Sequence, residues 1–431
     1  MPDRRPNYKL FAAVLLALLV PTLYRTYRIF LIGDIPNEWG YNIASQIAWL
    51  NIIYEVLQEG VTLPLFFVLG AVAKHHFVFW RKLRQGLMVI VPLYVAAAAL
   101  IWFFSGALVA LLSTPGEIVG DTISYIRWEA LAIPMRVITD IAFIALITLA
   151  DKRRIYFLLA MQLLVSICAD YAFIGTGALN LGVLGVAYSS VTANTLTALL
   201  GFGLLHLAVG RAAPRAADEP GIEWKRWLNI SVLSGAESGV RNFAFIVMIL
   251  KLVNEVGESG VFWLTNGFIW GWLLLPVLAL GSLIRQDVGT CRGVIGRRFR
   301  SYMTVTAVIV ALWFITLPAW GAFIANVMGV DNSAPVVDLA MLMIVFYAVF
   351  AFNHLLDSYF YGMGRTDLML YQSLLVNGVY YVGAFILYQA GIFVPNLTAI
   401  ALLFGFGIVF DFAATAWLFR RAGYPQIVAY G

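Results

Sequence analysis

Nine ionisable side chains stand inside long apolar runs of this 431-residue chain: Arg25, Arg28, Arg136, Asp140, Asp170, Glu237, Arg241, Asp357 and Asp411. A charge in a bilayer costs about 3 kcal/mol on insertion scales, so such groups face a cavity or a partner. Asp357 has Asn353, His354, Ser358 and Tyr359 around it and no base one helical turn away. Carboxylate, amide and hydroxyl oxygens suit a hard cation, or an acid that binds and releases a proton. His354 would tune that acid or pack as a hydrogen-bonded ring. Glu237 lies among Ser234, Gly235, Ser238 and Gly239, small residues that leave space for an ion, for water or for a neighbouring helix. Arg241, four residues on, shares its face and would neutralise it. Arg136 and Asp140 have the same spacing and read as a static pair. Asp411, between Phe410 and Phe412, reads as a supporting or packing acid. Arg25 and Arg28 stand about 15 to 18 residues up the first helix and Asp170 about 15 up the fifth, so at 1.5 Å per residue their heights match. An arginine paired with Asp170 satisfies both charges, as a static pair or as a latch.

The elements that carry these groups follow from charge sorting. The short segments Gly33–Tyr41, Ser113–Asp121, Gly175–Gly182, Val253–Gly260, Val327–Val336 and Gly391–Asn396 contain no Lys or Arg, whereas alternate connections such as Lys74–Arg84 and Arg292–Arg300 are basic. Basic loops stay in the cytoplasm, which predicts twelve helices across the cytoplasmic (inner) membrane with both termini in the cytoplasm. The expected spans are 10–33, 42–72, 85–112, 122–150, 155–175, 183–210, 226–252, 260–284, 300–326, 337–362, 367–390 and 397–419. The composition, 62% hydrophobic and 12% charged, fits helices of about 20 residues across about 30 Å of hydrocarbon. A net charge of +5 reads as topology and anionic-lipid contact, with no nucleic acid implied. Two cysteines, Cys168 and Cys291, are too few for a disulfide framework. The polar stretch around 211–225 reads as a cytoplasmic linker between six-helix halves 1–210 and 226–431. An offset of 213 sets Arg28 on Arg241 and Asp140 on Asn353, and an offset of 214 sets Trp49 on Trp263. Halves with one topology are related by an axis along the membrane normal, with substrate bound between them near the midplane.

Two stretches carry a family resemblance. Ala169-Asp170-Tyr171-Ala172-Phe173-Ile174, followed by Leu181-Gly182-Val183-Leu184-Gly185-Val186-Ala187-Tyr188-Ser189-Ser190, is similar to the fifth-to-sixth helix signature of the MATE (multidrug and toxic compound extrusion) family. Tyr361-Gly362-Met363-Gly364-Arg365-Thr366-Asp367 is similar to that family's Gly-rich turn after the tenth helix. The resemblance implies an all-α integral membrane fold of two pseudo-symmetric six-helix lobes around a central cavity. It also implies export driven by entry of sodium or protons, without a cofactor. Asp170, Glu237 and Asp357 would be the ion-coupling acids, with Glu237 and Asp357 as the ligands if the ion is Na+. Arg28, Arg136, Asp140, Arg241, Asn353, His354 and Trp270 would line the substrate cavity. Trp39, Trp49, Trp263 and Trp272 also fall in or beside helices 2 and 8, where aromatic faces suit flat or cationic ligands. The family often carries an Asp in the first helix. Here Tyr24, Arg25, Thr26, Tyr27 and Arg28 stand instead, so a two-Asp proton switch is not expected in the amino half.

The sequence therefore predicts a monomeric exporter of a small amphipathic or cationic organic compound, with the bilayer and its substrate as partners. A lipid-linked oligosaccharide or lipid flippase of the same superfamily is the rival, because Arg25, Arg28, Arg136 and Arg241 could line a pyrophosphate site. A facilitator-type antiporter would need an acid in the loop Ala73–Lys82, which has none. A membrane enzyme would have His75-His76 as its best pair, with no acid beside it. No Gly-x-x-x-x-Gly-Lys-Ser/Thr sequence exists to drive an ATP pump.

Overall fold

The computed structural model describes residues 6–33, 54–111, 119–174, 179, 181–210, 222–290, 294–330 and 332–423. Every regular element among them is helical. In chain order these are α1 (Tyr8–Gly33), α2 (Leu65–Gly70), α3 (His76–Leu111), α4 (Val119–Thr148), α5 (Lys152–Phe173) and α6 (Gly182–Leu205). There follow α7 (Trp224–Phe245), α8 (Lys251–Glu255), α9 (Ser259–Phe268), α10 (Leu275–Thr290) and α11 (Val294–Thr316). The last are α12 (Trp320–Asn326), α13 (Ala334–Met363), α14 (Thr366–Leu375), α15 (Val382–Gln389) and α16 (Leu397–Leu418). Nine helices among the described residues are long and apolar enough to cross a membrane. The segments Gly260–Leu273 and Leu275–Thr290, bent by 50°, make a tenth if counted as one span. The chain is a multi-pass, all-α membrane protein.

Several expected spans change character for identifiable reasons. The third begins earlier, at His76, because Trp80, Arg81, Lys82 and Arg84 continue the helix beyond the hydrocarbon. The expected 226–252 span is α7, a π turn at Ile246–Leu250 and α8, and it is not among the apolar spans. Asn229, Ser231, Ser234, Glu237, Ser238, Arg241 and Asn242 dilute its hydropathy. Pro276 sits in the first turn of α10, where the missing N–H costs nothing, and marks the bend after Leu274. Pro318 likewise stands in the 3-10 turn that separates α11 from α12. The first part of the expected second span, residues 42–53 with Trp49, lies outside the described residues, as do Trp39, Cys291, most of the 211–225 linker and the side chain of Arg25.

The described chain clusters into two compact units. One contains Met1–Leu19, Gln58–Ala71 and Trp224–Gly431; the other contains Val20–Leu57 and Val72–Glu223. We call them the carboxyl and amino units. Segment 58–71 thus packs with carboxyl-half helices. A Cβ on Gly60 would come within 2.9 Å of Gly235 Cα, so only small residues permit this approach. Ser234 Oγ donates to Glu59 O at 2.7 Å in the same contact. Ser234 and Gly235 therefore serve close helix packing.

Candidate ion-coupling sites in the two units

In the amino unit the fifth-to-sixth helix signature builds a charged pocket. α5 begins behind Asp151, whose carboxylate accepts from Arg154 N at 3.2 Å. It ends where Leu181 N donates to Phe173 O at 2.9 Å. A Cβ on Gly185 would reach 2.5 Å from Phe173 O, so the glycine lets α6 start tight against α5. That closeness sets Ser189 beside Asp170. Asp170, 1% exposed, accepts from the Tyr24 and Ser189 hydroxyls and pairs with Arg28 Nη2 at 3.1 Å. Arg28 also donates from Nη2 to Val186 O at 2.8 Å and from Nη1 to Ser190 Oγ at 3.2 Å. Among the described side chains, Arg28 is the base that meets Asp170. Arg136 is exposed and acts electrostatically on Glu129 and Tyr54.

The carboxyl unit arranges its acids differently. Glu237, 2% exposed, pairs with Arg241 Nη1 at 2.9 Å and accepts from Tyr361 Oη at 2.6 Å. Arg241 also pairs with Glu59. On α13 and α16 two further acids meet on one amide: Asn353 Nδ2 donates to Asp411 Oδ2 at 2.7 Å and to Asp357 Oδ2 at 3.3 Å. Thr415 Oγ1 donates to Asp357 Oδ1 at 3.4 Å. Asn353 is wholly buried, and its Oδ1 has no hydrogen-bond partner. Asp357 feels Asp411 and Glu237 as like charges and Arg241 as an opposite one. Two carboxylates on one donor, beside a free amide oxygen, suit a shared proton or a cation with oxygen ligands. Among the described residues no three His, Cys, Asp or Glu are grouped to hold a metal ion.

The remaining expected residues fall around this cluster. His354 stacks on Phe350 at 5.8 Å, and its Nε2 is buried without a partner. Trp270 Nε1 donates to Tyr347 Oη at 3.0 Å while its ring meets Phe350 edge-on. Trp263 and Trp272 make edge contacts with Phe262 and Phe323. The Gly-rich turn closes α13 with Gly364 at φ +69°, a conformation that favours glycine. Thr366 Oγ1 then donates to Ile230 O at 3.1 Å, tying the turn to α7.

Sequence reasoning missed Glu129, Glu59 and Arg285 and undervalued Asp411. Glu129 stands eight residues past Asp121, close enough to the expected loop to read as an interface charge. Arg285 stands one residue beyond the expected 260–284 span, but α10 continues to Thr290 and buries it to 8% exposure. Its described partners are Ser358 Oγ at 3.4 Å, Ser282 Oγ at 3.1 Å and the Phe66 ring at 5.8 Å.

Comparison with solved structures places this architecture. No family sequence model and no curated protein sequence matches the chain. A MOP superfamily transporter from Pyrococcus furiosus, described as having a binding pocket of reversed polarity, is 18% identical. It superposes with a TM-score of 0.76 over 98% of this chain and 95% of its own. A MATE transporter from Vibrio cholerae is 14% identical, at 0.76 over 98% of this chain and 97% of its own. A eukaryotic MATE transporter is 15% identical, with the same score and coverage of 98% and 97%. The chain has the fold of the MATE transporters of the MOP superfamily.

Proposed function

We propose that the chain is a secondary active exporter of MATE type, a transporter and not an enzyme. It moves a small amphipathic or cationic organic compound out across the cytoplasmic membrane in exchange for protons or Na+. The observation that carries this reading is the meeting of Asp357 and Asp411 on the Asn353 amide, with no base among the described residues ion-paired to either acid. An ion bound there removes the repulsion between two carboxylates, and its release restores it. A charge change of that kind biases two conformations differently and so couples ion entry to alternating access. The ion site of this reading therefore joins Asp357 to Asp411, with Glu237 acting on both through space.

The test is efflux of a fluorescent organic cation from proteoliposomes under an imposed Na+ or pH gradient. Gradient-driven efflux that Asp357→Asn abolishes supports the reading and names the ion. A second reading, translocation of a lipid-linked oligosaccharide, is favoured by Arg285, a buried guanidinium held by hydroxyls and a ring. The reversed pocket polarity of the Pyrococcus transporter adds interest to it. Dye that no gradient moves, together with flipping of a lipid-linked sugar, would replace the first reading with the second.

A further inference from the structure

The amino unit contains a second acid that the Arg28–Asp170 pair does not use. Glu129 lies on α4 one turn after Tyr125 and two turns before Arg136, so the three share a face. Its Oε2 is buried and has no hydrogen-bond partner. Ser190 of α6 is the hydroxyl within reach of the carboxyl. Because Ser190 Oγ accepts from Arg28 Nη1, its own proton is free to point at Glu129. The ionisable groups that face Glu129 are Arg28 from α1, Tyr125 and Arg136 from α4 itself, and Tyr54. Of the two bases, Arg28 is half-buried and Arg136 exposed, and the close contact of Arg28 goes to Asp170.

The two acids thus have opposite standing. Asp170 receives two hydroxyls and a guanidinium, so both of its oxygens have partners. Glu129 is half-buried but keeps its one buried oxygen, Oε2, bare, which is costly for a carboxylate and natural for a carboxylic acid. Resting on the exporter reading for its purpose, we infer that Glu129 is a second proton-binding site of this chain, with Asp170 the fixed counter-ion that holds Arg28 in place. Uptake takes a proton from water, forms an O–H bond at the bare Oε2 and removes one negative charge beside Arg28. Release returns the proton to water and leaves Arg28 shared between two carboxylates through Asp170 directly and Ser190 in between. The amino unit then reads the proton through the orientation of Arg28, which ties α1 to α5 and α6.

The experiment is an infrared titration of the full-length protein in lipid nanodiscs, following the carbonyl stretch of protonated carboxylic acids. It is run in an Asp357→Asn, Asp411→Asn background so that the carboxyl unit's pair contributes nothing. A titrating band is expected there, lost in Glu129→Gln and kept in Asp170→Asn. Ser190→Ala, a milder change, should keep the band but shift its frequency and midpoint, because the hydroxyl that touches the acid is gone. A band indifferent to Glu129→Gln and to Ser190→Ala, or one lost in Asp170→Asn, overturns the inference. The readout needs no transport: a band that behaves as expected in a protein that exports nothing would retain the proton site and discard the exporter.

Discussion

The Arg28–Asp170 pair belongs to the amino unit and the Asp357–Asp411 pair to the carboxyl unit, and they are built on opposite rules. The first balances a base against an acid and adds two hydroxyl donors. The second sets acid against acid and shares a single amide between them. A balanced buried pair is expensive to break and has little reason to change state. An unbalanced pair gains by capturing a cation, and its state then depends on what the surrounding solution supplies. The location of a buried charge therefore says less about its job than the sign of the group that faces it.

The contrast can be broken from its stable side first. Arg28→Ala strands Asp170 as an uncompensated buried charge, and a loss of about 3–5 kcal/mol is expected, read as a lower denaturation midpoint in detergent. Asn353→Ala removes the donor common to Asp357 and Asp411 and should cost about 1–3 kcal/mol by the same measurement. Asp357→Asn acts in the other sense. It relieves a like-charge contact, so the melting temperature should hold or rise, while gradient-driven efflux falls by at least about tenfold, equivalent to about 1.4 kcal/mol. If melting temperature and efflux fall together, the acid pair is structural and the contrast drawn here fails. The smallest effect belongs to Arg365→Ala. Its pair with Asp367, at 2.9 Å, is exposed, and the expected change is below about 1 kcal/mol in thermal stability, with efflux unaltered.

Much of the fold was legible because membrane helices write their length and composition plainly. Part of the site was legible for a similar reason. Four-residue spacing on one helix predicted the Glu237–Arg241 contact, and matched depth predicted a base for Asp170. Asp411 was unreadable because Asn353 reaches it from another helix, 58 residues away in the chain. Glu129 and Arg285 were lost at expected helix ends, where one or two turns of error move a residue from the membrane to its surface.

Six π turns punctuate the described helices: Gln58–Thr62, His206–Gly210, Ile246–Leu250, Ile269–Leu273, Val376–Tyr381 and Phe419–Gly423. Inside a continuous helix, as at Ile246–Leu250 and Val376–Tyr381, such a turn takes up one residue more than an α turn. Such a turn works as slack in the polypeptide, letting a gene gain or lose a codon inside a span at little structural cost. The offset of 213 between Arg28 and Arg241 becomes 214 between Trp49 and Trp263 and returns to 213 between Asp140 and Asn353, and the Ile246–Leu250 turn stands between Arg241 and Trp263. Duplicated halves can in this way drift out of step one letter at a time while every crossing survives, which leaves ancestry easier to see in shape than in spelling.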